Sequence, residues 1–342
     1  MKNTAAQVLA KLIVAAVALG IGVICLVFAG DPERHAVIAY LQYLPYLVYL
    51  VPAVFAVLCS LALGWRWRLL AGVSLVVVLT EVMGLAVGWP DEGSGHVRFM
   101  TYNAKANFAV VEPNGLGKLA QEIMANDPDV LVMQDAGDLA TVRVQRPEAF
   151  AALFGKREVY NFGQYFVASR LPMRDCAPGY IPFRNIGHSF VHCVVTAHGK
   201  DIDVVTVHFL TPRNGLNAVR HEGMQGIDAW RENMTDRLIQ SSELAQQVGE
   251  MKRPRIVAGD LNAPERSNVV KNLLNVGLRD AFSSGGFGYG YTHGHSLKFG
   301  ISFLRIDHIL VSDEIGVAHA YAGGKEGSQH RPVIADLRIN RD

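Results

Sequence analysis

Seven side chains after residue 96 of this 342-residue chain could do acid–base, phosphate or metal chemistry: Asn103, Asp135, His208, Asp260, Asn262, Asp307 and His330. What unites them is position, because each stands at or next to the end of a short run that reads as a buried strand. The stretch Arg255-Ile-Val-Ala-Gly-Asp-Leu-Asn-Ala-Pro264 is the most informative. Ile256 to Ala258 is the strand, and Gly259 reads as a turn residue that stops it. Asp260 and Asn262 follow two apart, on one face of an extended chain. A carboxylate and an amide so placed can hold a water and a phosphoryl oxygen together. Alone, Gly-Asp-Leu-Asn is equally a polar exit from a strand, and the other clusters give it weight.

These residues need a scaffold, and the apolar pattern predicts one. His96 to Ala104 alternates and delivers Asn103 at its C-terminal end, and Asp129 to Gln134 leads into Asp135. Tyr165 to Ser169, Ser189 to Thr196 and Asp203 to His208 read as further strands. Arg305 to Ser312 is a strand with Asp307 near its start, and Ser328-Gln-His-Arg-Pro332 is a loop feeding a last strand, Val333 to Ile339. Leu116, Leu119 and Ile123 recur at helical spacing, Glu232 to Val248 carries a helical pattern, and Val269 to Val276 is a short helix. Many strands ending in polar side chains imply one rim where loops converge into a site.

In chain order, Thr101-Tyr-Asn103, Gln134-Asp135, Val207-His208, Gly259-Asp-Leu-Asn262, Arg305-Ile-Asp-His308 and Ser328-Gln-His-Arg-Pro332 resemble the motifs of the endonuclease/exonuclease/phosphatase superfamily, over roughly residues 97–341. Each motif is short, and the six in order are specific. The resemblance implies an α/β fold, a four-layered α/β sandwich of two packed β-sheets flanked by helices. It also implies metal-dependent hydrolysis of phosphate esters, usually with Mg²⁺. In that scheme Asp260 is the base or orienter of an attacking water, and Asn262 holds water or phosphate. His330 stabilises or protonates the phosphoryl group with Asp307 fixing its tautomer, and His208 donates from the other side. Asn103, Asp135 and Gln329 fall on the metal side.

Two positions depart from the family pattern. Asp135 is one methylene shorter than the usual glutamate, and Mg²⁺ tolerates little slack around bonds of ~2.0–2.1 Å. Gln329 stands where an aspartate is usual and brings an oxygen without its charge. Both changes predict weaker or different metal dependence, with Mn²⁺ as the alternative to Mg²⁺. They also leave a second reading, a catalytically weakened family member serving as a membrane-tethered binding module. Substrate contacts are expected from loops: Arg213, Arg220 and His221 after His208, and Tyr289, Tyr291, His293, His295 and Lys298 before Asp307. Of these, Arg213, Arg220, Tyr291 and His293 are the candidates for clamping phosphate or stacking on a ring. His293 and His295 have the alternate spacing of a transition-metal pair.

The apolar residues crowd into residues 1–96. Val8 to Gly30, Ala36 to Gly64 and Leu69 to Trp89 each reach the ~20 residues a helix needs to cross a bilayer. The expected organisation is three transmembrane helices in residues 1–89, a linker over 90–96 and a catalytic domain over 97–342. Pro45 and Pro52 would kink the second helix, and Glu81 in the third should face the bundle or a cavity. Lys2, Lys11, Arg66 and Arg68 favour a cytoplasmic N-terminus. Three crossings then place the domain on the periplasmic or extracellular side of an integral membrane protein of the bacterial inner membrane. Residues 1–96 hold five basic and five acidic residues, so the remainder keeps the whole chain's net charge of +1. That lacks the broad positive field of a non-specific nucleic-acid binder. The substrate classes left are a lipid headgroup, nucleic acid or a small phosphoester, with no protein partner implied. Cys176 and Cys193 would pair in an oxidising compartment or remain buried thiols.

Overall fold

The computed structural model describes residues 4–182, 188–298 and 300–341, with Arg341 as backbone only. The chain divides into two units, Met1–Leu85 and Ala86–Asp342. In chain order the strands of the second unit are β1 (Ala86–Val87), β2 (Gly93–Asn103), β3 (Val130–Gln134), β4 (Glu158–Phe162), β5 (Tyr165–Ser169), β6 (Met173–Ile181) and β7 (His188–Ala197). They continue with β8 (Lys200–His208), β9 (Arg255–Asp260), β10 (Leu278–Asp280), β11 (Phe287–Gly288), β12 (Asp307–Ser312), β13 (Gly316–Ala322) and β14 (Val333–Arg341). One sheet has the order β13-β14-β2-β3-β5-β4, the other β10-β12-β9-β8-β7-β6, and β1 pairs with β11 separately.

Alternation along the strands sorts side chains into layers. Phe99, Val130, Val132 and Val167 of the first sheet join Val191, Val204, Ile256, Ala258 and Ile309 of the second in one core. The intervening Met100, Tyr102, Leu131 and Met133 face the other way, onto Leu116, Leu119 and Ile123 of the helix Gly115–Asn126. Val205, Val207, Val257 and Leu310 likewise meet Leu244 and Val248 of Ile227–Glu250 and Val269 and Leu273 of Asn268–Leu274. Helix, sheet, sheet, helix is the expected four-layered sandwich.

Two pairings decide where the polar residues go. β2 with β3 and β8 with β9 run parallel, each pair in the middle of its sheet. Parallel strands end on the same edge, so Asn103 lies opposite Gln134 and His208 opposite Asp260. β12 runs antiparallel to β9 and starts where β9 ends, which sets Asp307 against Asp260. Gly259 is not the turn residue expected: it lies inside β9 at φ 154°. A Cβ there would come within 1.9 Å of the Val207 carbonyl oxygen on β8.

Some expectations are redrawn. β2 begins at Gly93, inside the stretch read as a linker. The segments β4, β6 and β13 are strands that the apolar pattern did not mark; each sits at an edge of its sheet and sends side chains such as Phe162, Met173 and Val317 to the shared core. Arg213, Arg220 and His221 stand on a helix, Arg213–Glu222, not on a loop. Cys176 and Cys193 form a disulfide between β6 and β7.

In the first unit, Ala5–Ala29 is one continuous helix, started by a capping box in which Thr4 and Gln7 bond reciprocally. It is the one helix among the described residues long and apolar enough to cross a membrane. The second apolar run is not one helix but two, Ala36–Leu41 and Leu47–Ser60, interrupted around Pro45. Pro52 is carried inside the latter. The third run is Trp65–Val77 followed by a π-helical turn, Val78–Val82. Ala10, Val14, Ala56, Leu63 and Ala71 pack together in the core of this unit. Glu81, expected to face inward, is exposed on the π turn.

Candidate active site

Asp260 is the centre of the rim. It is 1% exposed, and each carboxylate oxygen has a donor. Oδ1 accepts from the Asn262 N–H at 2.8 Å, and Oδ2 accepts from Asn103 Nδ2 at 2.8 Å. His208 Nε2 lies 3.5 Å and His330 Nδ1 3.8 Å from Oδ2. Burial by itself would raise this carboxyl, but His330 and His208 hold it below the usual carboxylate range. Asn262 keeps a left-handed backbone, φ 51°, a conformation Asn tolerates, and its Nδ2 donates to the Phe209 carbonyl at 3.0 Å.

His330 and Asp307 form a buried dyad, with Nδ1 and Oδ2 2.9 Å apart. Burial disfavours an imidazolium, yet Asp307 and Asp260 raise the His330 pKa above its ordinary value. The Asp307 Oδ1 atom is buried with no hydrogen-bond partner. Its strand is anchored by the rest of the Arg305-Ile-Asp-His308 motif. Arg305 Nη1 meets both oxygens of buried Asp280, at 2.7 and 2.8 Å, and Nη2 pairs with Glu265. His308 bonds Asp280 at 2.9 Å and the Ala263 carbonyl at 3.0 Å. This one cluster therefore fixes the strand start at Asp307 and the loop after Asn262.

The other side belongs to β2 and β3. Asp135 follows β3 at φ 48°. Its carboxylate is ion-paired with Lys105, and His208 Nδ1 lies 3.6 Å away. Burial opposes ionisation, but His208 and Lys105 keep the Asp135 pKa below its ordinary value. His208 Nδ1 also meets Gln164 Oε1 at 2.7 Å. Asn103 turns its amide to Asp260 and accepts from the Lys105 N–H at 3.2 Å, rather than standing beside Asp135 as a ligand. Gln329 is half-buried in the loop next to His330.

Sequence reasoning missed Lys105, Gln164 and Tyr165 as site residues, and it quoted Gln134 in a motif without giving it a role. Lys105 had a signal: it is a lone charge two residues after Asn103 in an otherwise mostly apolar stretch. Gln134 Nε2 joins the two sheets under the site by donating to Thr206 Oγ1 at 2.8 Å. Tyr165 OH accepts from the His208 N–H at 3.1 Å and donates to the Ser189 carbonyl at 2.8 Å. Nothing in the sequence joins these positions before the strands pair.

Of the substrate candidates, His293 reaches the site, its ring 4.8 Å from that of His330. Burial, with His330 beside it, pushes its pKa down to about 3, and its Nδ1 is buried without a partner. Arg213, in the first turn of its helix, is near enough to contribute to that depression. Arg220 lies two turns further along, ~10.5 Å down the helix axis. Tyr291 stacks on Tyr289 at 5.3 Å. His295 is not a partner to His293 for a metal: its Nε2 lies 3.0 Å from the Ser328 carbonyl.

Fold and rim together define the class of phosphate-ester hydrolases built on a two-sheet sandwich. The model of the Endonuclease/Exonuclease/phosphatase family matches residues 100–330, and the chain belongs to that family. No curated protein sequence matches the chain. Among solved structures it is similar to an endonuclease/exonuclease/phosphatase family protein from Bacteroides vulgatus, with 16% identity, TM-score 0.55, and coverage of 72% of this chain and 99% of that one. It is similar to a truncated Caenorhabditis elegans TDP2, with 16% identity, TM-score 0.52, and coverage of 71% and 97%. A mannosyl-6-phosphatase from Bacteroides thetaiotaomicron is similar at 15% identity and TM-score 0.52, covering 70% of this chain and 99% of that one. At these identities the likeness is one of fold.

The family's divalent-metal chemistry can be tested against the donors present. Asn103, Asp135 and Gln329 supply one carboxylate, and Lys105 is already ion-paired with it. That set does not fit a divalent ion, which wants several anionic oxygens. Asp260, Asp307 and His330 each offer an atom within 4.8 Å of the others, and two carboxylates with an imidazole suit such an ion in type. However, His330 Nδ1 faces both carboxylates and the ring's pKa is raised, so a cation there must displace a proton. No chemical step is therefore derived through a metal.

Proposed function

We propose that this chain is a membrane-anchored phosphoesterase in which Asp260 activates water for in-line attack on phosphorus. The observation that carries the reading is the Asp260 carboxylate, buried and held by Asn103 and the Asn262 N–H with His208 and His330 on its flanks. Water loses a proton to Asp260 as its oxygen bonds to phosphorus. The bond to the leaving oxygen breaks, and that oxygen takes a proton from solvent. His330, whose protonated form Asp307 favours, and His208 donate to phosphoryl oxygens and stabilise the growing charge. His293, held neutral by burial beside His330, and Arg213, close enough to act on it electrostatically, would orient the ester. Mg²⁺ or Mn²⁺, implied by the family, would find a single, already paired carboxylate at Asn103, Asp135 and Gln329.

Anchoring is proposed from the first unit. Leu12, Leu19 and Leu26 of Ala5–Ala29 are exposed, as are Val51, Phe55 and Leu58 of Leu47–Ser60, a surface suited to lipid and not to water. The Cys176–Cys193 disulfide supports an oxidising compartment for the domain, hence the periplasmic or extracellular side. Near-neutral charge favours a lipid headgroup or small phosphoester over long nucleic acid. The test is hydrolysis of phospholipids, phosphomonoesters, DNA and RNA by the full chain in detergent, with Asp260→Ala beside it. Equal rates from the two proteins would leave only the tethered binding module.

A further inference from the structure

One charge in the site is not used by this reaction. Lys105 follows Asn103 by two residues at φ 43°, its N–H bonded to Asn103 Oδ1 at 3.2 Å. Its side chain is 18% exposed and its ammonium is ion-paired with Asp135, and the charge is felt at Asp260 and His330 as well. The resemblance gives the Asp135 carboxylate to a cation, and a cation is what the structure puts there, but one covalently tied to the chain. Gln329 removes a negative charge from the same side. A tethered ammonium needs only one carboxylate to balance it, whereas a divalent ion wants several anionic oxygens in strict geometry. Of the three N–H bonds on an ammonium, one serves Asp135 and no other described residue takes the remaining two.

We propose that the Lys105 ammonium stands in for the divalent cation: it neutralises Asp135 and holds a phosphoryl oxygen, so phosphate binds without a metal ion on Asp135. The inference rests on the phosphoesterase reading, and the short Asp135 and uncharged Gln329 are then fitted to a lysine partner, not eroded ligands.

The test uses the full chain in detergent. Mn²⁺ binding is followed by paramagnetic resonance, and inorganic phosphate binding in EDTA by calorimetry. The expected result is no saturable Mn²⁺ site at micromolar concentration in the natural protein. Lys105→Met should tighten Mn²⁺ binding by about tenfold or more, and adding Asp135→Asn should abolish the gain. Lys105→Asn suits the left-handed backbone and serves as the second variant where Met perturbs folding, with circular dichroism to check both. Either variant should weaken phosphate binding in EDTA by about tenfold, and Lys105→Arg should retain it. A micromolar Mn²⁺ site in the natural protein, lost in Asp135→Asn and unchanged in Lys105→Met, overturns the proposal. So does ester hydrolysis that depends on Asp260 but vanishes in EDTA, an outcome that leaves the phosphoesterase reading intact. Phosphate binding that needs Lys105 in EDTA, with no ester hydrolysed, supports the lysine and sinks the enzyme.

Discussion

On the β9–β12 side of the site the reactive groups are embedded. Asp260, Asp307 and His330 have side chains no more than 3% exposed, and a buried Asp280–Arg305–His308 cluster holds the strand that carries Asp307. On the β2–β3 side, Asp135 and Lys105 are 28% and 18% exposed, and both sit on left-handed residues just past strand ends. The embedded side keeps the family's motif, while the open side has changed two of its members. Embedded groups have their protonation set by neighbours that cannot move, so any change there disturbs several partners at once. Open groups are loop residues with few partners, and there charge can be rearranged without unmaking the sheet.

The comparison breaks if the embedded side is dispensable. Asp260→Ala should lower kcat by about 10³-fold with the fold intact, measured by initial rates on whichever ester proves active. A loss under tenfold would mean that water activation lies elsewhere. Next in size, Asp280→Ala should cost about 3–5 kcal/mol of stability, because Arg305 and His308 are left buried without their carboxylate. Arg305 and His308 outweigh burial and hold the Asp280 pKa well below the usual range. That stabilisation is therefore present above pH ~3.9 and fades as pH falls. Thermal melts across pH check both the cost and its sign.

The comparison sharpens through pH. The proposed reaction needs Asp260 ionised and His330 protonated; the first pKa is lowered and the second raised, which widens the pH range over which both forms coexist. Activity should fall as pH rises through the raised His330 value, above ~6.5. Asp307→Asn should move that alkaline limb to lower pH by about one unit or more, since burial then acts on His330 with less opposition. On the open side effects should be smaller. Gln329→Asp restores a negative charge and should strengthen Mn²⁺ binding by about tenfold, read by paramagnetic resonance. Smallest of all, Arg220→Ala should change KM less than about twofold, because its side chain is exposed and two turns from Arg213.

Much of the rim was legible in the sequence because it is written in strand ends. Tyr165–Ser169 forms as read, and the strand ends at Asn103 and His208 fall where they were expected, while β9 runs on through Gly259 to Asp260. The sandwich followed from the order of the motifs. The side-chain pairings were not legible, because the Lys105–Asp135 and His208–Gln164 pairs span 30 and 44 residues and depend on which strands neighbour each other. The helix Arg213–Glu222 was hidden too: its polar composition has few apolar positions to carry a period. Residues 36–64 read as a single span because hydropathy cannot see the interruption at Pro45.

Gly259 has a consequence for how far this site can drift. At that point two neighbouring backbones touch with nothing between them, so their separation is set by atoms that no rotamer change can adjust. A single added methyl would act as a wedge, pushing β8 from β9 just before His208 and Asp260 and misaligning the imidazole from the carboxylate. The smallest residue in the chain thereby fixes the tolerance of its reaction.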